Sequence, residues 1–147
     1  MATLREFDRR IRLYAAKAGL FGDEAVKAAS SAILRTVAYE TPQDVGTAVS
    51  NWQVTLGEIG HEDMREAYVP GEKGSTAGAN SEAVIEAGLS VLEGYLSGTG
   101  QAVHVTNNAG HIGALNDGHS NQAPAGFIQM AVLTGRRAVQ NLRVSFK

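Results

Sequence analysis

Three histidines and one aspartate in the last third of the chain carry the side chains best suited to bind a metal ion. His104, His111, His119 and Asp117 offer imidazole and carboxylate groups, and zinc takes three or four such ligands in a tetrahedral arrangement. Their spacing matches no zinc signature. His104 falls on the polar face of a predicted strand, whereas His111 and His119 fall in turns rich in glycine and asparagine. We therefore predict surface and turn histidines and no metal-binding residue, with a metal-dependent hydrolase as an alternative.

Three other motifs match catalytic or nucleotide-binding sites only in part. Ser120 follows His119, but neighbours in sequence do not have the geometry of a catalytic triad, and no Gly-x-Ser-x-Gly turn surrounds the serine. The lysine of the Gly71 to Thr76 loop is not followed directly by serine or threonine, as a phosphate-binding loop requires. The Gly98 to Gly100 turn lacks the third glycine of a dinucleotide site. We predict no catalytic and no cofactor-binding residue.

Residues 57–80 combine five glycines and one proline with few large apolar side chains. Such a composition cannot bury enough surface to fix itself, so we predict a flexible loop at about 57–80, with a short strand at 67–69. A mobile loop cannot hold an acid–base pair in fixed geometry, and its carboxylates are predicted to be solvated. Five of them against two cations leave the loop with a net charge of −3: Glu58, Glu62, Asp63, Glu66 and Glu72 against Arg65 and Lys73.

Composition limits the class of protein. The chain has 147 residues, 44% hydrophobic and 19% charged, which suits a single domain over residues 1–147 with one modest core. Without cysteine, disulfides and thiolate metal sites are excluded. We find no signal-peptide pattern and no segment apolar enough to cross a bilayer, so we expect a protein made in the cytoplasm without membrane contact. The net charge of −2 argues against a nucleic-acid-binding domain as a whole.

Two helices are predicted at the start of the chain. Leu4, Phe7, Ile11, Tyr14 and Ala18 share one helical stripe, and Arg5, Arg9 and Arg12 lie on a face turned away from it. The glycines at 19 and 22 predict a break, after which Asp23 is a good N-cap and apolar residues recur at helical spacing up to Pro42. We expect the two helices to form a hairpin.

The remaining elements predict an α+β fold. A strand runs from Asn51 with Trp52, Val54 and Leu56 on one face, and a second strand covers 101–106 with Val103 and Val105 inward. A third helix runs from Ser81 to Gly98, and a long last helix begins at Pro124. We predict a small antiparallel sheet packed against the N-terminal helical hairpin and the long C-terminal helix.

Residues 41–52 combine turn-forming residues with a sequence pattern known from one protein family. Pro42 disfavours helix in Thr41 before it, Asp44 and Gly46 supply a turn, and a strand opens at Trp52. This helix, Pro-x-Asp-x-Gly turn and Ser-x-Trp strand resembles the tail-completion or minor tail-component family of long-tailed bacteriophages. The C-terminal third adds Asn107-Asn108 and the run Leu115-Asn116-Asp117-Gly118 to Ala123-Pro124-Ala125-Gly126-Phe127.

The resemblance implies a structural role. Proteins of that family join the DNA-filled head to the tail, so we expect a virion protein at the head–tail junction, assembled in the host cytoplasm. It would form a closed ring of sixfold or twelvefold symmetry, between a head–tail connector or adaptor and the tail terminator or tail tube. Genomic DNA would pass without sequence-specific binding, and the acidic loop, facing the channel, would repel its phosphates. No enzyme activity is implied.

Candidate interface residues follow from charge, aromaticity and turn position. The basic helix face could contact an acidic partner or phosphates, and a small nucleic-acid-binding module using this face is a second alternative. The single tryptophan is predicted first for the core and second for an interface. The candidates are Arg5, Arg9, Arg12, Trp52, Glu62, Asp63, Glu66, Asn116, His119 and Gln122.

Overall fold

A computed structural model describes residues 4–60, 63–96, 98–118 and 125–142. Five helices and two strands are formed within these ranges, which confirms the predicted α+β class. In chain order they are α1 (Leu4–Glu40), α2 (Thr47–Ser50), β1 (Trp52–Leu56), α3 (Ala77–Glu93), β2 (Val103–Asn107), α4 (Ile112–Asn116) and α5 (Phe127–Gln140). None of the helices in these ranges is long and apolar enough to cross a membrane.

The sheet is a single antiparallel pair of strands, β1 and β2. Trp52 lies opposite Asn107, Val54 opposite Val105, and Leu56 opposite Val103. Trp52 and Val54 are buried, and both β2 valines pack against the core. The alternation of apolar and polar residues along each strand therefore points the predicted face inward.

The core lies where the C-terminal half of α1 meets α3, α5 and the sheet. Leu34 and Val37 of α1, Val84 of α3 and Phe127 of α5 are each at most 1% exposed. Two glycines allow close helix contacts, because a Cβ atom on Gly88 would lie 2.3 Å from a Leu34 methyl group and one on Gly135 would lie 2.7 Å from Ile33.

The predicted N-terminal hairpin is wrong, because α1 is one continuous helix of 37 residues. Gly19 and Gly22 keep a negative φ, and each costs the helix only about 1 kcal/mol relative to alanine. Two such costs do not outweigh the packing of the helix that follows. Asp23 lies inside the helix, and its Oδ1 accepts a hydrogen bond from the N–H of Gly98 at 3.5 Å.

Several other boundaries differ from the prediction. Helix α3 begins at Ala77 and ends at Glu93, earlier at both ends than predicted, and β2 is shifted toward Asn107. Residues 67–69 form no strand, and the backbone of Tyr68 and Val69 pairs with side chains. The short helices α2 and α4 occupy segments that were expected to be turns. The last helix begins at Phe127, and Pro124 lies outside the described residues.

Candidate functional site

A fully buried asparagine pairs with the backbone of the glycine-rich loop. Asn80, 0% exposed, lies in the first turn of α3. Its Oδ1 accepts from the N–H of Val69 at 2.8 Å, and its Nδ2 donates to the Val69 carbonyl at 3.0 Å. The side-chain amide therefore makes the two hydrogen bonds that a neighbouring β-strand would make. Nδ2 also donates to the hydroxyl of Thr76 at 2.9 Å.

A second asparagine repeats this pairing four residues earlier in the loop. Asn51, 2% exposed, is the C-cap of α2. Its Oδ1 accepts from the N–H of Arg65 at 2.8 Å, and its Nδ2 donates to the Arg65 carbonyl at 2.9 Å. Asn51 thus binds both backbone groups of Arg65, as Asn80 binds both groups of Val69.

Ser50 joins the two asparagine contacts. Its Oγ accepts from the N–H of Tyr68 at 3.1 Å and donates to Asn80 Oδ1 at 3.1 Å. Three buried side chains therefore bind the backbone of residues 63–70, which we call the strap, at Arg65, Tyr68 and Val69. Buried polar networks of this kind are stable only when their members find partners, so the strap and the side chains beneath it stabilise each other.

The turn before α2 packs closely against the Asn80 side chain of this network. Gly46 has φ of +87°, a conformation that favours glycine. A Cβ atom at Gly46 would lie 2.3 Å from Asn80 Nδ2 and 3.4 Å from Ala67 Cβ. The Asp44 carbonyl accepts from the N–H of Gly74 at 2.7 Å, which closes the far end of the loop against the same turn.

Further buried polar contacts attach the network to the end of α1. Trp52 Nε1 donates to Thr41 Oγ1 at 2.8 Å. Ser81 Oγ donates to the Ala38 carbonyl at 2.6 Å and accepts from Gln43 Nε2 at 2.9 Å. The end of α1, the turn, α2 and the start of α3 therefore form one support for the strap.

The outer side of the strap is apolar and charged. Met64, Tyr68 and Val69 are 57%, 39% and 38% exposed. The guanidinium of Arg65 lies 5.1 Å from the centre of the Tyr68 ring, where a cation–π contact is favourable, and its Nη1 donates to the Tyr68 hydroxyl. Asp63 and Glu66 are exposed. Methionine, tyrosine and arginine on a held backbone are typical of surfaces that bind proteins.

Asn116 has a local role at the start of α5. Its Oδ1 accepts from the N–H of Ile128 at 2.9 Å, its Nδ2 donates to Gln129 Oε1 at 3.0 Å, and its carbonyl accepts from the N–H of Gly126 at 2.7 Å. A side chain distant in sequence thus supplies the cap that Gly126, the N-cap residue of α5, cannot provide. Asn116 is half-buried, and an interface role for it stays a prediction.

The other sequence-predicted residues do not converge with Asn116. Arg5, Arg9 and Arg12 are exposed, and Arg12 Nε lies 3.0 Å from Asp8 Oδ2. Trp52 is 5% exposed and packs in the core, its first predicted position. Asp63 and Glu66 lie together on the strap, whereas Glu62, His119 and Gln122 lie outside the described residues.

Two of the histidines considered as metal ligands, His104 and His111, lie on separate elements. His104 Nε2 lies 3.2 Å from the carbonyl oxygen of Gly57, and His111 is the exposed N-cap residue of α4. Within the parts of the chain that the structure describes, no group of three histidine, cysteine or acidic residues is placed to hold a metal ion. His119 lies outside those parts.

No family model matches this chain, and neither the curated proteins nor the solved structures contain a match.

Sequence reasoning missed the asparagines that hold the strap. One local signal was present, because Asn80 and Ser81 precede Val84 and Ile85 by one helical turn and so share their inward face. Polar residues on a predicted buried face need buried partners. The partners here are backbone groups of a loop, which no periodic pattern marks.

Proposed function

We propose that this protein is a structural component of a bacteriophage particle at the head–tail junction, with a role in tail completion. It assembles as a closed ring of sixfold or twelvefold symmetry. The connector or adaptor lies on one side of the ring and the tail terminator or tail tube on the other. Genomic DNA passes through without sequence-specific binding. The work is done by complementary protein surfaces, without catalytic residues or a cofactor.

The strap is the observation that carries this proposal. Met64, Tyr68 and Val69 are exposed on a backbone held by three buried side chains. Ordering the backbone of a residue costs roughly 1–2 kcal/mol, and here that cost is met during folding and not on binding. A surface prepared in this way favours permanent assembly with another protein.

The residues that carry the phage resemblance also have structural reasons for their identity. Gly46 permits the turn under Asn80, and the Asp44 carbonyl holds Gly74. Gly118, with φ of +91°, would place a Cβ atom 3.2 Å from Ala125 Cβ. The pattern therefore coincides with the support of the strap and with the turn before α5. This coincidence supports a shared architecture with the phage family.

The test is electron microscopy of lysates from a phage with a stop codon in this gene. We expect full heads beside separate, completed tails, because head and tail mature independently and only their junction would be missing. The matched control is the same phage grown in a suppressor host, where joined particles should return. Normal infectious particles in the non-suppressing host would contradict the proposal and direct attention to zinc and DNA binding.

A further inference from the structure

The two ends of α1 carry surfaces of opposite charge. At one end, residues 5–13 form the basic segment. Arg5, Arg9, Arg10 and Arg12 against Glu6 and Asp8 leave it with a net charge of +2. Every residue of this segment whose side chain is described is exposed, including Ile11 at 51% and Leu13 at 54%.

At the other end, the strap and its neighbouring turns form the acidic end. Asp44, Asp63, Glu66 and Glu72 are exposed, and against Arg65 and Lys73 they leave a net charge of −2. Val45 and Met64 are 50% and 57% exposed beside these carboxylates. Each end of the helix therefore combines exposed apolar side chains with one sign of charge.

The two surfaces cannot meet within one chain. The strap is attached near Ala38 and Thr41 through Ser81 and Trp52, at the C-terminal end of α1. A rise of 1.5 Å per residue separates Leu13 from Thr41 by about 42 Å along the helix. This distance is several times the Debye length of about 8 Å at physiological ionic strength. Neither surface therefore neutralises or covers the other in its own copy.

We propose that the basic segment of one copy docks on the acidic end of a second copy. Arg5 and Arg9 would face Asp63 and Glu66 of the next copy, and Leu13, one helical turn after Arg9 on the same face of α1, would cover its Met64 and Tyr68. This inference deepens the proposed ring function, and rests on it, by naming the residues through which successive copies meet. It assigns Asp63 and Glu66 to a subunit contact in place of the DNA channel.

Such a contact is head to tail. The surface used on one copy differs from the surface used on the next, so each added copy leaves a free surface until rotation closes a ring. Burying the exposed apolar residues supplies affinity, while the opposite charges fix the order of the ends and exclude a contact between two like ends.

Charge reversal on each surface tests the contact. We expect Arg5→Glu/Arg9→Glu and Asp63→Lys/Glu66→Lys each to weaken self-association of the full chain about tenfold or more, because each variant then has the same sign of charge at both ends. A mixture of the two variants pairs every acidic surface with a basic one and should associate again. Sedimentation velocity at low and high ionic strength measures this, since salt weakens contacts between exposed charges.

Two variants with the same charge changes elsewhere serve as controls. Arg136→Glu/Arg137→Glu alters exposed residues of α5, and Glu82→Lys/Glu86→Lys alters exposed residues of α3. Both should associate like the native chain. Circular dichroism should show that all four variants keep the native helix content. Equal weakening by the controls would mean that net charge alone governs association, and would overturn the proposed contact.

Crosslinking tests which residues of the two copies lie next to each other in the contact. The native chain has no cysteine, so Leu13→Cys in one preparation and Met64→Cys in another provide unique reactive sites. A short thiol crosslinker should join the two variants when they are mixed, and should join neither variant to itself. A monomeric native chain that yields no mixed crosslink would overturn the inference.

The outcome for the ring function is read separately from the stop-codon lysates. Separate heads and tails together with failed crosslinking would retain the junction role and remove this contact. Normal particles together with successful crosslinking would remove the junction role and retain this contact.

Discussion

The indole Nε1 of Trp52 lies 2.8 Å from the hydroxyl oxygen of Thr41, where the end of α1 meets the start of β1. The same hydroxyl donates to the Val37 carbonyl. Thr41 therefore binds back to the last turn of α1 and satisfies the only polar atom of a buried aromatic ring. This contact joins the end of α1, just before Pro42, to the start of the sheet. Ser50 and Asn51, which directly precede Trp52, extend this connection to the strap.

Thr41→Val should destabilise the fold by about 1–3 kcal/mol, because it leaves the indole N–H buried without an acceptor. Valine keeps the shape of threonine, so little packing is lost. Thr36→Val is the matched control, since Thr36 Oγ1 donates to the Ala32 carbonyl of its own helix. Urea unfolding of both variants measures the difference. Equal stability of the two would mean that the Trp52 contact contributes nothing.

Asn80→Asp should destabilise the chain by about 3 kcal/mol or more, because a carboxylate at this fully buried position cannot donate to Val69 and Thr76. The strap should also open locally. Native-state hydrogen exchange should then show faster exchange at the Val69 and Tyr68 amides than the global loss of stability explains.

Asn141→Asp is the control for this change, since Asn141 is the exposed C-cap of α5. It should leave the exchange of the strap amides unaltered. Slow strap exchange in Asn80→Asp, after correction for global stability, would contradict the view that Asn80 holds the strap.

Gly46→Ala should cost more than Gly74→Ala, although both glycines have positive φ. The left-handed backbone costs each alanine about 1–2 kcal/mol. At Gly46 the new methyl would also lie 2.3 Å from Asn80 Nδ2, whereas at Gly74 the nearest atom is 3.9 Å away. Because Asn80 is held by several hydrogen bonds, it cannot move aside cheaply. Thermal unfolding of both variants checks the order, and equal midpoints would disprove it.

Local signals in the sequence predicted a large part of this fold. Pro42 marked the end of α1, the Asp44-x-Gly46 segment marked a turn, and the alternation from Trp52 predicted β1. Each signal acts through residues close in sequence, and each is retained in the structure. The pairing of the Trp52 and Val103 strands followed from two such patterns on short segments.

The failures share a different cause. Gly19 and Gly22 predicted a break, but a glycine weakens a helix without ending it, and packing along the rest of α1 decides the outcome. The flexibility of the loop at about 57–80 stays a prediction, but its composition gave no sign of the hydrogen bonds that the strap makes. Asn51 and Asn80 supply its hydrogen bonds from segments before and after it. Those contacts depend on the assembled fold, which local composition does not report.

The continuity of α1, on which the head-to-tail contact depends, gives a last prediction. Gly19 and Gly22 are exposed, and a Cβ atom on either would meet no other atom within 4 Å. Replacing each with alanine should stabilise the protein by up to about 1 kcal/mol, because alanine loses less backbone entropy in a helix.

Gly135→Ala is the contrasting variant within α5. Its new methyl would lie 2.7 Å from Ile33 Cγ1 and 3.2 Å from the Ala29 carbonyl oxygen, so the steric cost should exceed the gain in helix propensity. Chemical denaturation of the three single variants measures these signs. If Gly19 and Gly22 formed a turn with positive φ, alanine would destabilise the chain at both positions. Stabilisation at both, with destabilisation at Gly135, would agree with an uninterrupted helix and would exclude a turn that needs positive φ at either glycine, because such a turn does not tolerate a Cβ atom without strain.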